Sequence, residues 1–258
     1  MKPIEVFYHV YIPIHDVTNT WVWFVDQQLS LIRDSGLSEC AKVNIAITMP
    51  MHITEVAGVK YHTDSHPPIY ISFHEKVREY ITARYSFANI LDIRDISESN
   101  LFEAQTLRFL HKTCCESTES INVLYIHTKG VYSGCVGPSI SNWREILNYY
   151  FITRWRDCIK NLENSDIVGL TDAYKDQRVL SGNFWWARSD HVKTLIMPTE
   201  CDGVRENEPK NRYPLEKWIT ENQPCIHRIL DTNINHYQNY CFLEDLIKLE
   251  QQNIDNTV

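Results

Sequence analysis

Ile121-Asn122-Val123-Leu124-Tyr125-Ile126-His127-Thr128-Lys129-Gly130 is apolar at nearly every position through Ile126 and then turns polar. Side chains alternate across a strand, so a run that is apolar in both phases is covered on both faces, as in the interior of a parallel sheet. Downstream, Asn142 and Glu145 form a capping box. Trp143, Ile146, Leu147, Tyr150, Phe151, Trp155, Cys158, Ile159 and Leu162 then recur at three-and-four spacing, which predicts one long amphipathic helix. Asp166-Ile167-Val168-Gly169-Leu170 reads as a second strand with Thr171 and Asp172 at its exit, followed by Ser181-Gly182-Asn183-Phe184-Trp185-Trp186-Ala187. Two strand ends bearing polar and aromatic groups, joined by a helical crossover, put a ligand site at the carboxyl edge of a parallel sheet.

Working outward, Ile4-Glu5-Val6-Phe7-Tyr8-His9-Val10-Tyr11-Ile12 reads as a first strand ending at Pro13. Asn19 or Thr20 caps a helix through Val22, Val25, Leu29 and Ile32 that closes at Ser35-Gly36, and residues 42–49 form the next strand. This is a βαβ start, for which a right-handed crossover is expected. Residues 69–73 read as a short strand, residues 75–85 as a helix and residues 89–93 as another short strand. Asn100 and Glu103 suggest a capping box for a helix that ends near Cys115, and the last helix spans about residues 240–251. With no repeat and no Gly/Pro/Ser linker, the expectation is a single domain over residues 1–258, with a mostly parallel central sheet flanked by helices. Two halves meet near residue 130, about residues 1–130 and about residues 131–258.

Composition narrows the function classes. The 258 residues are 43% hydrophobic and 22% charged, which suits a packed core rather than disorder. A net charge of -8 argues against nucleic acid as partner, because phosphate neutralisation needs a Lys/Arg excess. No apolar run reaches the roughly 18 residues of a membrane span, and Pro3 and Glu5 interrupt any signal-peptide core, so a cytoplasmic location is expected. The eight cysteines are scattered without a CxxC pair, as expected of reduced thiols.

His127, Thr128, Lys129 and Gly130 offer an imidazole, a hydroxyl, an ammonium and a permissive backbone where the sheet opens. That inventory suits a phosphate or diphosphate, with Lys129 as a mobile charge, and the plain alternative is a solvated surface turn. Arg144, near the start of the helix, can reach the same ligand. Asp172 suits a sugar hydroxyl or a metal. Around Ser181, Gly182 permits close approach to the backbone and Asn183 both donates and accepts. Trp185 and Trp186 offer ring faces to a sugar, the alternative being a buried aromatic pair. His62, Asp64 and His66 could hold a divalent ion, although a polar loop is the plainer reading because Pro67-Pro68 offers no helix to complete a zinc pattern.

Tyr125-Ile126-His127-Thr128-Lys129-Gly130, Trp143-Arg144, Ser181-Gly182-Asn183-Phe184-Trp185-Trp186-Ala187 and Arg212-Tyr213-Pro214-Leu215-Glu216-Lys217-Trp218-Ile219, in this order, resemble the motifs of a group of small glycosyltransferase-like proteins. Such proteins occur beside surface-polysaccharide genes and in large DNA viruses. The resemblance implies a fold similar to the GT-A class and a transferase that moves a sugar from a nucleoside-diphosphate sugar to a glycan hydroxyl. It implies a donor-binding role for about residues 1–130 and an acceptor-side role for about residues 131–258. Glu216 lies in an order similar to the base of inverting GT-A enzymes and is the candidate general base, the alternative being a surface glutamate at a helix amino end. Lys129 is read as offsetting the leaving diphosphate, and His236 as folding back onto it, the alternative being a structural histidine. Many GT-A enzymes end the equivalent strand in Asp-x-Asp to hold a divalent ion. Here His127-Thr128-Lys129 stands instead, so no metal is favoured, and manganese or magnesium on Asp92, Asp95 or Asp172 is the fallback. Two other readings remain: a non-catalytic carbohydrate-binding module, and a metal-dependent hydrolase built on His62, Asp64 and His66.

Overall fold

A computed structural model describes residues 2–12, 20–48, 67–91, 103–131, 138–171, 179–198, 213–230 and 242–255. It contains a seven-stranded sheet of mixed direction. The strands are β1 (Ile4–Tyr11), β2 (Ala41–Thr48), β3 (Ala88–Ile90), β4 (Asn122–His127), β5 (Ile167–Gly169), β6 (Trp185–Arg188) and β7 (Ile226–Arg228), arranged β3-β2-β1-β4-β6-β5-β7. β1 to β4 are parallel, β6 runs against both β4 and β5, and β7 is parallel to β5. The mixed α/β architecture with a mostly parallel sheet is therefore as the sequence predicts.

The order fixes where a ligand can bind. From β1 the chain winds one way through β2 to β3 and then returns to the other side of β1 as β4. The carboxyl ends of β1 and β4 thus flank a topological switch point, where loops diverge and leave a crevice. His9 pairs with His127 across that boundary.

Helices cover both faces. α1 (Thr20–Asp34), α4 (Pro138–Asn148) and α5 (Trp155–Asn161) pack on one face around Val6, Tyr8, Val10, Leu124, Ile126 and Trp186. α3 (Ala104–Glu116) and α7 (Tyr213–Trp218) pack on the other around Phe7, Val123, Tyr125, Trp185 and Ala187. Successive strand residues divide between the two cores as the pleat requires. Each fully buried Leu, Ile or Phe contributes roughly 1.5–3 kcal/mol, so both faces must be covered for the sheet to stand. α6 (Ser189–Val192) follows β6, and α8 (Leu243–Asp255) docks through Leu246.

Three local expectations change. Residues 69–73 are not a strand but the first turns of α2 (Pro67–Arg84). Prolines suit the first turn of a helix, whose N–H groups have no partner to lose. The buried Val77, Ile81 and Tyr85 continue a helical stripe, and this tertiary stripe overrides the β-branched character of Ile69 and Ile71. A helix does follow His66, although residues 49–66 lie outside the described part. The long helix after β4 begins at Pro138, ahead of the Asn142 and Glu145 box, and is interrupted by a π-helical segment, Tyr149–Thr153, before α5. Its five-residue spacing lets Tyr150, Phe151 and Ile152 all be buried. Finally, Glu103 occupies the cap position of α3 but makes no side-chain cap hydrogen bond; Asn100 is outside the described residues.

Among the described residues no helix is long and apolar enough to cross a membrane. Five of the cysteines, Cys40, Cys114, Cys115, Cys158 and Cys225, are free thiols.

Candidate functional site

β4 ends where its partner β1 ends, and the polar residues that follow are held in different ways. The Tyr11 N–H donates to Thr128 Oγ1 at 3.0 Å, and the Thr128 hydroxyl donates back to Tyr11 O at 3.2 Å. Thr128 therefore extends the β1–β4 pairing as a strand clamp, a correction to the expected ligand donor. Gly130 turns the chain at φ +89°, where a Cβ would come within 2.5 Å of Ile140 Cγ2. Its lack of a side chain serves both the left-handed turn and the approach of α4.

Two cations converge behind this turn. Lys129 is 9% exposed, and its Nζ lies 4.2 Å from the centroid of the Trp143 ring. Arg144 is completely buried. Its Nε donates to Gln27 Oε1 at 2.9 Å, Nη1 to Lys129 O at 3.3 Å and Nη2 to Ser141 Oγ at 3.3 Å. The adjacent Trp23 and Phe24 rings of α1, set edge-to-face to each other, lie 4.5 and 4.3 Å from the guanidinium carbon at their centroids. All of these partners are neutral. Among the described residues no carboxylate lies within ion-pair distance of Arg144, and burial lowers its pKa to about 10, which still leaves it charged at neutral pH. On the same face, the Tyr8 hydroxyl is buried without a hydrogen-bond partner among the described residues. Burial pushes its pKa well above the usual value, and Arg144 pulls against that.

Beyond the β4–β6 ladder, the second motif meets the polar end of the first through His127. His127 Nε2–H donates to Gly182 O at 3.1 Å, and the imidazole packs edge-on to Phe184. Gly182 sits at φ +82° with Leu147 so close that a Cβ would meet Cδ1 at 2.5 Å. Its role is to let α4 approach. Ser181 is buried and its N–H donates to Thr171 O. Asn183, at φ +53°, donates from Nδ2 to Glu103 Oε1 at 2.8 Å and accepts Trp185 Nε1–H at 3.3 Å.

The indoles are corrected outright. Trp185 is 1% exposed and stacks on Tyr125; Trp186 is fully buried in the opposite core, donating to Phe151 O. The pleat sends them to opposite faces, and both faces are covered. Neither ring can present a face to a sugar, so the carbohydrate-binding module loses the platform on which it rested.

Glu216 is half-buried on α7, whose Leu215, Trp218 and Ile219 pack into the α3-side core. It therefore lies on the other face of the sheet from the Lys129–Trp143 contact. Asp92, Asp95, Asp172, His236, His62, Asp64 and His66 lie outside the described residues. Among the described residues no group of three or more His, Cys, Asp or Glu side chains could hold a metal. Two buried polar residues take part in this edge in ways the sequence does not announce. His9 shares hydrogen bonds with Thr106 Oγ1 at 2.8 Å and Thr48 Oγ1 at 3.2 Å, and burial lowers its pKa to about 3. Glu103 was read as a cap. A polar residue interrupting a doubly covered strand was the available signal for His9; nothing local distinguishes a capping glutamate from one that turns away.

A cavity of about 180 Å³ lies apart from this edge, between α5, β7 and α8. Its Arg154 is already shared between Asp157 and Glu250.

Residues 7–226 match a family described as Domain of unknown function (DUF8361). No curated protein matches the chain. Among solved structures, a candidate nucleotide-diphospho-sugar transferase from Desulfovibrio desulfuricans G20 aligns at a TM-score of 0.39 and 10% identity, over 89% of this chain and 80% of that one. That likeness is too slight to carry function.

Proposed function

We propose, for a chain that belongs to the DUF8361 family of domains of unknown function, the transfer of a glycosyl unit from a nucleoside-diphosphate sugar to a hydroxyl of a glycan acceptor. The observation that carries this reading is the buried Arg144 beside Lys129 at the switch point between β1 and β4, with no carboxylate within ion-pair distance of Arg144 among the described residues. An uncompensated charge in a protein interior costs several kcal/mol. A bound diphosphate supplies the missing counter-charge, and the crevice at a switch point is where open α/β sheets hold such groups. The GT-A-like motif order supports the same substrate class and a place in surface-polysaccharide assembly.

In the proposed reaction the acceptor oxygen attacks the anomeric carbon. The bond from that carbon to the diphosphate breaks, and its electron pair leaves on the diphosphate. In this scheme Lys129 and Arg144 offset that charge, and cations fixed in place before the charge develops lower a barrier most. Glu216 takes the acceptor proton, and the products are an inverted glycoside and a nucleoside diphosphate. With two cations at the edge, no metal is required by this scheme; manganese or magnesium on Asp92, Asp95 or Asp172 is its alternative.

The test is calorimetric titration and thermal shift with UDP, GDP, CDP and inorganic pyrophosphate, with and without manganese. A ligand of the native state at a hundred times its Kd raises stability by about 2.7 kcal/mol. We expect one nucleoside diphosphate to do so without manganese, and Lys129→Ala to weaken it. No stabilisation by any of the four ligands under either condition overturns the proposal.

A further inference from the structure

The three acceptors that hold Arg144 differ in what could stand in their place. Lys129 O is backbone and Ser141 Oγ belongs to the same helix, three residues earlier, whereas Gln27 reaches across from α1 and accepts Arg144 Nε–H at 2.9 Å. An arginine side chain has donors only, so the amide must turn its oxygen toward it. A glutamate has the same length and an oxygen at the same point, but with a full negative charge. It would make a charge-assisted bond to the guanidinium, roughly twice as strong as the bond from a neutral acceptor. The amide thus stands where a carboxylate fits.

The two acids nearest in sequence do not supply that charge by contact. Asp26, beside Gln27 on α1, accepts the hydroxyls of Tyr80 at 2.6 Å and Tyr85 at 2.9 Å. Glu145, beside Arg144 on α4, is exposed and acts on the guanidinium only through space. α1 itself is tied down here, because Gln28 Nε2 donates to His127 O at the end of β4 and to Asn148 Oδ1 of α4, each at 3.2 Å. Gln27 is therefore fixed beside a guanidinium that is completely buried, and a buried charge without a counter-charge costs several kcal/mol. That cost is explained if the charge is held for a ligand. We infer that Gln27 is a positioning residue that sets the preference of the site for anions: it aims Arg144 without taking its charge, which stays available to the diphosphate. The identity of that anion rests on the nucleotide-sugar reading.

The experiment measures Kd and melting temperature for the wild type, Gln27→Glu and Gln27→Met with UDP, GDP, CDP and inorganic pyrophosphate. Gln27→Glu places the counter-charge inside the protein, so Kd should rise at least about tenfold while the melting temperature stays the same or rises. Gln27→Met removes the acceptor and adds no charge, so Kd should rise only about threefold and the melting temperature should fall. The gap between the two variants reads charge rather than packing. A Kd in Gln27→Glu within twofold of the wild type, or no weaker than in Gln27→Met, overturns the role of Gln27. A lower melting temperature in Gln27→Glu, up to failure to fold, makes the amide a structural brace and overturns it as well. A wild type that binds none of the four ligands overturns the donor reading and this inference with it. Binding of pyrophosphate alone overturns only the donor reading, and the variants are then compared on pyrophosphate.

Discussion

The two faces of the β4 carboxyl end bury polar groups by different means. Toward α1 and α4, Arg144 is wholly enclosed by carbonyls, a hydroxyl and aromatic rings, and Lys129 rests on Trp143. Among the described residues the hydrogen bonds of Arg144 all go to neutral groups, and Glu145 acts on it only at a distance. Toward α3, His9 is matched by Thr106 and Thr48, and Glu103 by Asn183. Matched hydrogen bonds rigidify a core, whereas an unmatched guanidinium is electrostatically incomplete until an anion arrives. On the proposed function, the first face is the one that receives the diphosphate, and the second is the rigid wall against which sugar and acceptor are positioned.

The largest test of this division falls on the α3 side. If Glu216 removes the acceptor proton, Glu216→Gln keeps size and most hydrogen bonding but abolishes proton acceptance. Single-turnover transfer should fall by about a hundredfold to ten-thousandfold, with nucleoside diphosphate affinity within twofold of normal. Turnover within a few-fold of the parent removes Glu216 from the chemistry. A product of retained configuration removes the inverting mechanism even if the residue proves essential.

Next in size is the receptor face. Arg144→Met removes the buried charge and roughly preserves the stem, so nucleoside diphosphate affinity should drop by about tenfold to a hundredfold, the range of a lost charge-assisted hydrogen-bonding group. Stability should stay the same or rise, since replacing interior charge by apolar atoms is often neutral or favourable. A lower melting temperature with unchanged affinity would make Arg144 a structural brace and reverse the contrast between the faces. Lys129→Ala should show a smaller affinity loss in the same titration, with stability little changed.

How much of this was legible in the sequence follows from what is local. The doubly apolar β4 strand and the Ser35-Gly36 helix end were encoded in short patterns and are present. What failed depended on partners distant in sequence. Trp185 and Trp186 read as ring faces because the sequence does not reveal that Tyr125 and Phe151 already occupy their surroundings. Thr128 read as a donor because its tie to Tyr11 spans 117 positions. Glu103 read as a cap because its real partner, Asn183, lies 80 positions away.

A third prediction addresses the place where the two faces touch. Gly182 carries the carbonyl that holds His127 while its missing side chain admits Leu147 of α4. Gly182→Ala adds a methyl group to a backbone at φ +82°, 2.5 Å from Leu147 Cδ1. Strain of this kind, with overpacking, should cost roughly 2–4 kcal/mol, seen as a lowered urea midpoint. If Leu147→Ala in the same chain restores part of that loss, the clash is its source. If it does not, the two faces are less tightly joined than the contacts indicate.

The smallest effect at neutral pH, and the sharpest test of the matched wall, concerns His9. Folded, its imidazole is held neutral because burial lowers the pKa to about 3; in the unfolded chain it takes up a proton near the ordinary value of about 6.5. Between those values the unfolded state binds more protons, so stability is lost as the pH falls, by about 1.4 kcal/mol per unit from this one group. His9→Gln keeps atoms that can donate to and accept from Thr106 and Thr48 but cannot titrate. At pH 7 it should change stability little, and between pH 6.5 and 5.5, where the unfolded imidazole is already half protonated at the start, it should retain about 1 kcal/mol that the parent loses. Urea unfolding at the two pH values reads the difference directly. Equal acid losses in parent and variant would mean that His9 is reached by water and protonated while folded, and the α3 face would then be an open polar surface rather than the closed wall that its hydrogen bonds describe.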